Sequence, residues 1–164
     1  MDPMALASFA TFFLTLVGIY AILALGLNVQ WGFTGLFNIG IAAFFAIGAY
    51  TSAILTTPLS PSHLGGFGLP IVLGLIGAML ASGFFALLVG LVTLHLREDY
   101  LAIATIGIAE IIRLALKNEE WLTNGVRGIA GIPKPLEALS GEAQPVLYMA
   151  LVLAAVLVDR KSVV

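Results

Sequence analysis

The absence of charge over most of the chain is the feature that most constrains its fold. Residues 3–96 contain no Asp, Glu, Lys or Arg, and the 164-residue chain is 60% hydrophobic and only 10% charged. Soluble domains carry roughly 25% charged residues. A run of about 94 uncharged residues can cross a bilayer several times, since a spanning helix needs about 20 residues. The sequence therefore excludes a soluble domain and predicts an all-α polytopic membrane protein.

The apolar runs predict about five transmembrane or partly re-entrant helices in one transmembrane domain, residues 1–164. The predicted helices cover residues 4–25, 36–55, 69–94, 100–118 and 146–158. The fourth run contains charged residues, and the choice between a full crossing and a re-entrant helix stays open. The fifth run is too short to span unless residues 143 and 144 join it. Asp99 is predicted to cap the fourth helix, since Asp is a favoured N-cap residue.

A polar, glycine-rich stretch follows the first apolar run. Residues 26–35 are predicted to break the helix, and Asn28, Thr34 and Asn38 lie in or near this break. Non-helical backbone at membrane depth must be buried in protein or line a cavity, and such breaks commonly form the substrate route of transporters. These three side chains are therefore translocation-pathway candidates. Equally, they could satisfy the backbone groups that the break frees.

Small residues recur every four positions along the third predicted helix. Such a stripe lets membrane helices approach closely, and we interpret it as a helix–helix interface. Its members are Gly74, Ala78, Ser82, Ala86 and Gly90.

Two ionisable residues lie inside the fourth apolar run. Glu110 and Arg113 are three positions apart, on a helix face that Ile106 and Lys117 continue. Ionisable groups at membrane depth are expensive and usually functional, so Glu110 and Arg113 are the sharpest pathway candidates. The alternative is a structural ion pair.

Several kinds of chemistry have no support in the sequence. Without cysteine the chain can form no disulfide or thiolate site, and its two histidines, His63 and His95, lie about 32 positions apart. There is no P-loop pattern for nucleotide phosphates. We expect no enzyme activity, no cofactor, no metal site and no nucleic-acid partner.

Two segments carry a family resemblance. GLNVQWGFTGLFNIGIAAFFAIGAYTSAIL, residues 26–55, and LREDYLAIATIGIAEIIRLALKNEEWLTNGVRGIAGIP, residues 96–133, resemble the M-type permease subunit of bacterial ABC importers for branched-chain and other neutral amino acids. The resemblance implies an inner-membrane permease that works with a second homologous permease subunit, cytoplasmic ABC ATPases and a periplasmic substrate-binding protein. ABC permeases for urea and short amides share much of the pattern, so the substrate stays open.

Family members continue beyond the point that matches residue 158, through a basic cytoplasmic segment and further spans. The resemblance therefore implies that this chain corresponds to the N-terminal half of such a permease, as a truncation, a frameshift product or a split gene. A non-transporting structural membrane fragment is the remaining alternative.

The basic residues predict the orientation, because Lys and Arg concentrate in cytoplasmic loops. Five crossings with the N-terminus outside place Arg97, Arg160 and Lys161 in the cytoplasm. Fusions of a periplasmic reporter enzyme at positions 60, 97 and 130 should be active at 60 and 130 and inactive at 97. Activity at 97 would overturn this orientation.

Overall fold

The computed structural model describes residues 3–59, 64–93, 95–133 and 144–163, so His63 lies outside the described residues. Over this part of the chain the fold is all-helical, which confirms the all-α part of the prediction. An isolated bridge pairs Pro58 with Phe67. A 3₁₀ turn covers Gly125–Arg127. The described helices are α1 Pro3–Thr34, α2 Ile41–Thr56, α3 Ile71–Thr93, α4 Glu98–Asn118, α5 Glu120–Thr123 and α6 Gln144–Val163.

Two of the described helices are long and apolar enough to cross a membrane. They are the Ser8–Thr34 portion of α1, with 27 residues, and α3, with 23 residues. Helix α2 is also apolar, but its 16 residues extend only about 24 Å at 1.5 Å per residue. Most large hydrophobic side chains of α1 and α3 are exposed, which fits helices whose neighbours include lipid.

The predicted break at residues 26–35 is wrong, because α1 continues through Gly26 and Gly32 to Thr34. A glycine inside a helix costs only about 1 kcal/mol relative to alanine. A backbone group left without a partner in lipid costs several times more. Retaining the helical hydrogen bonds is therefore the less costly outcome, and Asn28 and Thr34 lie on a continuous helix.

The chain leaves helical geometry later, between Gly35 and Gly40. Gly35 adopts a left-handed conformation with φ of 68°, and its N–H donates to the Trp31 carbonyl at 2.9 Å, the αL arrangement that ends many helices. At the other end, the Gly40 N–H donates to Asn38 Oδ1 at 2.9 Å. The break is thus short, and its ends are closed by local hydrogen bonds.

Two further boundaries differ from the sequence prediction. Helix α4 begins at Glu98 with Arg97 in the N-cap position, so the prediction of Asp99 as the N-cap residue is wrong, because Asp99 lies inside the helix. Helix α6 begins at Gln144 and has 20 residues, about 30 Å and enough to span by length. The helix is longer than the predicted run of residues 146–158, because hydropathy selects only apolar residues and α6 also includes polar ones at both ends.

The chain divides into two compact units. One comprises Met1–Gly35 and Leu136–Val164, and in it Gly18 of α1 lies against Val152 of α6 with no room for a side chain. The second unit, Leu36–Pro135, contains α2, α3 and α4.

Small residues let α2 and α3 approach closely within the second unit. Gly48 of α2 faces Ala78 and Ser82, and Gly74 of α3 faces Ser52 and Thr56. The Ser82 hydroxyl also donates to the Phe44 carbonyl of α2 at 3.0 Å. The far end of the small-residue stripe differs. Ala86 is exposed, and a Cβ at Gly90 would meet nothing within 4 Å.

Enlarging Gly74 should destabilise this helix pair. Leucine there would collide with Thr56 and Ser52, and overpacking typically costs about 1–3 kcal/mol. Gly83→Leu in the same helix is the matched control, since a Cβ at Gly83 meets nothing within 4 Å. We expect the detergent-solubilised Gly74→Leu protein to unfold at a lower temperature than Gly83→Leu. Equal midpoints would show that the approach at Gly74 contributes no stability.

Candidate functional site: the groove between α2 and α4

A groove of about 560 Å³ lies between α2 and α4, within the second unit. We call it the α2–α4 groove. Its walls combine small apolar side chains with a few ionisable ones. The lining residues are Ile39, Ala42, Ala43, Ala46, Tyr50, Ile106, Ala109, Glu110, Arg113, Leu116, Lys117, Gly125 and Val126.

Thr105 joins the beginning of α2 to α4. Its hydroxyl accepts the Ile39 N–H at 3.2 Å and donates to the Ala102 carbonyl of its own helix at 3.0 Å. The Thr105 side chain is only 1% exposed, and Gly40 packs against its carbonyl with little room for a Cβ. The hydroxyl thus satisfies an N–H group that the break would otherwise leave without a protein partner.

The groove runs along both helices, starting at the contact between Ile39 and Thr105. Ile39 lies beside Thr105, and the lining extends to Tyr50 on α2 and to Lys117 on α4. From Ile106 to Lys117 this is about 16 Å of helix. The space between the two helices stays open because the residues at positions 42, 43, 46 and 109 are alanines, whose side chains are small.

Glu110 and Arg113 form a two-point ion pair in the groove wall. Arg113 Nε donates to Glu110 Oε2 at 2.8 Å, and Nη2 donates to Oε1 at 2.6 Å. The Glu110 side chain is 52% exposed and the Arg113 side chain 60% exposed. The pair begins 12 residues after the start of α4, about 18 Å along the helix. This bidentate geometry is the strong form of a charge-assisted hydrogen bond, and half of each side chain can still meet solvent or a solute.

Lys117 lies at the far end of the groove, in the last turn of α4. It occupies the face that Ile106, Glu110 and Arg113 share, and all four of these residues line the groove. Glu110–Arg113 is the ion pair that the described residues form, and Lys117 takes part in no ion pair among them. The groove therefore contains one pair of balanced charges and one additional cation.

A compact turn follows α4 at the Lys117 end of the groove. Thr123 is fully buried, and its hydroxyl bonds the Leu116 carbonyl at 2.5 Å. Asn124 and Gly125 then take left-handed conformations with φ of 61° and 59°. A Cβ at Gly125 would lie 2.9 Å from Glu120 Cγ, so glycine is required both by the conformation and by the space. This turn holds Gly125 and Val126 against the groove.

The other pathway candidates have different environments. Asn28 is exposed on α1, and the Thr34 hydroxyl donates to the Gln30 carbonyl of the same helix. Both belong to the unit that does not contain the groove. Asn38 precedes the groove and accepts the Gly40 N–H. Only Glu110 and Arg113 of the predicted set line the groove itself.

Sequence reasoning missed two polar residues of this region. Thr105 carried a detectable signal, because it is a hydroxyl in an otherwise apolar run, but such a residue usually bonds its own helix. Tyr50 carried none, since a tyrosine near the end of an apolar helix is common at membrane interfaces. Among the described residues no three His, Cys, Asp or Glu side chains are grouped as metal ligands would be.

Comparison with known proteins gives a consistent family match. Residues 9–159 match the family described as branched-chain amino acid transport system / permease component. The chain is 47% identical over 121 residues to the high-affinity branched-chain amino acid transport system permease protein LivM of Escherichia coli K12. It is 46% identical over 121 residues to the LivM protein of Salmonella typhimurium LT2.

The two alignments cover the same share of each chain. They include 74% of this chain and 27% of each LivM protein, so the chain spans about a quarter of the length of these curated relatives. No solved structure matches the chain significantly. Because the family match covers nearly the whole sequence, the chain belongs to the family of permease components of branched-chain amino acid transport systems.

Proposed function

We propose that the chain is a membrane-spanning permease component of an ABC importer for branched-chain or other neutral amino acids, and that the α2–α4 groove is part of the translocation pathway. The observation that carries this proposal is the Glu110–Arg113 pair in the groove wall. Ionisable groups within membrane segments face a bundle interior or a water-filled cavity and mark substrate routes.

The chemistry of the groove suits a zwitterionic solute. An α-amino acid presents an ammonium and a carboxylate, and these match Glu110 and Arg113 respectively. The branched apolar side chain matches the wall at Ala42, Ala43 and Ala46. Since both charged groups remain about half exposed while paired, a solute can approach them without first separating the pair.

The earlier candidates take different parts in this proposal. Asn38 positions the start of α2 through its bond to Gly40, and so acts on the groove indirectly. Asn28 and Thr34 remain proposed pathway residues by their polar character in an apolar helix. We assign Gly74, Ala78 and Ser82 to the interface with α2, and propose that Ala86 and Gly90 continue it against a neighbour outside this unit.

The membrane arrangement is proposed from helix lengths. Besides the two candidate spans, α2, α4 and α6 are proposed as crossing or partly re-entrant segments, which gives about five in one multi-pass transmembrane domain. We place the chain in the bacterial inner membrane. Its proposed partners are a second homologous permease subunit, cytoplasmic ABC ATPases and a periplasmic substrate-binding protein. The names of the LivM relatives, which refer to branched-chain amino acid transport, support this assignment.

Two alternative functions predict different roles for the Glu110–Arg113 pair. A permease for urea or short amides would carry an uncharged solute, for which a charged pair in the wall offers no complementary charge. A structural membrane fragment would need the pair only for stability. The Glu110–Arg113 pair therefore favours a zwitterion over the first alternative, and variants of the pair test the second.

Glu110→Gln should lower leucine uptake by at least tenfold in cells that carry the complete transport system. Losing a hydrogen bond to a charged group costs about 1.5–3 kcal/mol, and 1.4 kcal/mol is tenfold. The protein should remain in the membrane at wild-type levels. Glu120→Gln is the matched control, since Glu120 does not line the groove, and its uptake should be unchanged.

Exchanging the two charges separates a pathway role from a structural one. The Glu110→Arg, Arg113→Glu double variant keeps the ion pair but reverses its orientation along α4. We expect membrane levels to stay at those of the wild type and uptake to stay low. Full recovery of uptake would mean that the pair only stabilises the helix, and normal uptake by Glu110→Gln would remove the groove from the pathway.

A further inference from the structure

Lys117 is the charged groove residue that forms no ion pair among the described residues. It lies two helical turns after Glu110 on the same face, about 10 Å along the axis, and lines the end of the groove beside Gly125 and Val126. A cation in the last turn of a helix is also favoured by the helix dipole. That effect requires no particular direction for the side chain, however, whereas Lys117 is placed on the groove.

The two acidic residues that follow Lys117, Glu119 and Glu120, are not part of the groove lining. Glu119 Oε2 accepts the Trp121 Nε1 hydrogen at 2.6 Å. Glu120 lines a separate cavity of about 140 Å³ with Asn124, Val126 and Arg127. Neither carboxylate lines the α2–α4 groove. Since Glu110 and Arg113 neutralise each other, the groove lining has a net charge of one positive unit.

We propose that Lys117 makes this end of the groove selective for solutes that carry a carboxylate, and that it receives the carboxylate before the ammonium reaches Glu110. The inference rests on the proposed function of the groove and adds the residue that selects the solute by charge. A flexible ammonium is suited to this role, because it has three donors and no fixed orientation. Walls of low dielectric concentrate its field, and such focusing raises the local concentration of an opposite charge by about tenfold or more.

The chain has no cysteine, so one engineered cysteine is the only thiol of this subunit, and its modification is followed on this subunit. Ala46→Cys places a thiol in the wall formed by α2, and Ala42→Cys provides a second, exposed position. The measurement compares the rates at which an anionic and a cationic thiosulfonate modify this thiol. It uses the complete transport system in membrane vesicles and does not depend on transport.

The anionic reagent should react faster in the parent cysteine variants. Adding Lys117→Gln should lower the ratio of anionic to cationic rates by about tenfold, and Lys117→Glu should reverse the preference. The matched control is Arg97→Gln, which removes a cation at the opposite end of α4 and should leave the ratio unchanged. Raising the ionic strength should reduce the preference in the parent, because salt screens exposed charges.

The outcomes separate this inference from the function on which it rests. Leucine should slow modification of both thiols if the groove admits the solute. Thiols that react with neither reagent would show a groove closed to water and overturn both proposals. Thiols that react and are protected by leucine, with a ratio that Lys117→Gln leaves unchanged, would overturn the role of Lys117 alone. Equal changes in Lys117→Gln and Arg97→Gln would also overturn it.

Discussion

The hydrogen bond between Thr105 and the Ile39 N–H is the contact on which the groove depends. Lipid provides no partner for a free backbone group, so a chain that leaves helical geometry must find partners within the protein. Here the break between α1 and α2 is only a few residues long. Asn38 satisfies one N–H group and the Thr105 hydroxyl another. The second of these bonds also positions the start of α2 beside α4, which defines one end of the groove.

Buried threonines apply the same principle throughout the described residues. Each of five buried threonine hydroxyls donates to a main-chain carbonyl three to seven residues earlier, so that none is left without an acceptor. They are Thr56, Thr57, Thr93, Thr105 and Thr123. Thr105 differs because its hydroxyl also accepts an N–H from a residue 66 positions away, whereas the N–H that Thr123 accepts belongs to Gly125, two positions on. Threonine hydroxyls in helices usually bond only a carbonyl of their own helix, but at this position the hydroxyl connects two elements.

Small residues serve opposite purposes on two sides of α2. Towards α3, Gly48 meets Ser82 closely, and the lack of side chains brings the two backbones together. Towards α4, Ala42 and Ala46 leave space unfilled, and the groove results. The difference comes from the partner, because α3 presents its own small residues whereas α4 presents the longer Glu110 and Arg113. A two-point ion pair holds those two side chains along their own helix.

The sequence by itself determined the all-helical class, the membrane environment and the shared face of Glu110, Arg113 and Lys117, because charge content and helical periodicity are local properties. It misplaced the break after α1, since glycine content describes conformational freedom and does not include the cost of unpaired backbone in lipid. Only the tertiary structure decided that α4 lies beside α2, that Thr105 joins them, and that Lys117 shares a groove with Ala46. These contacts connect residues more than 60 positions apart, and no local pattern specifies which helices become neighbours.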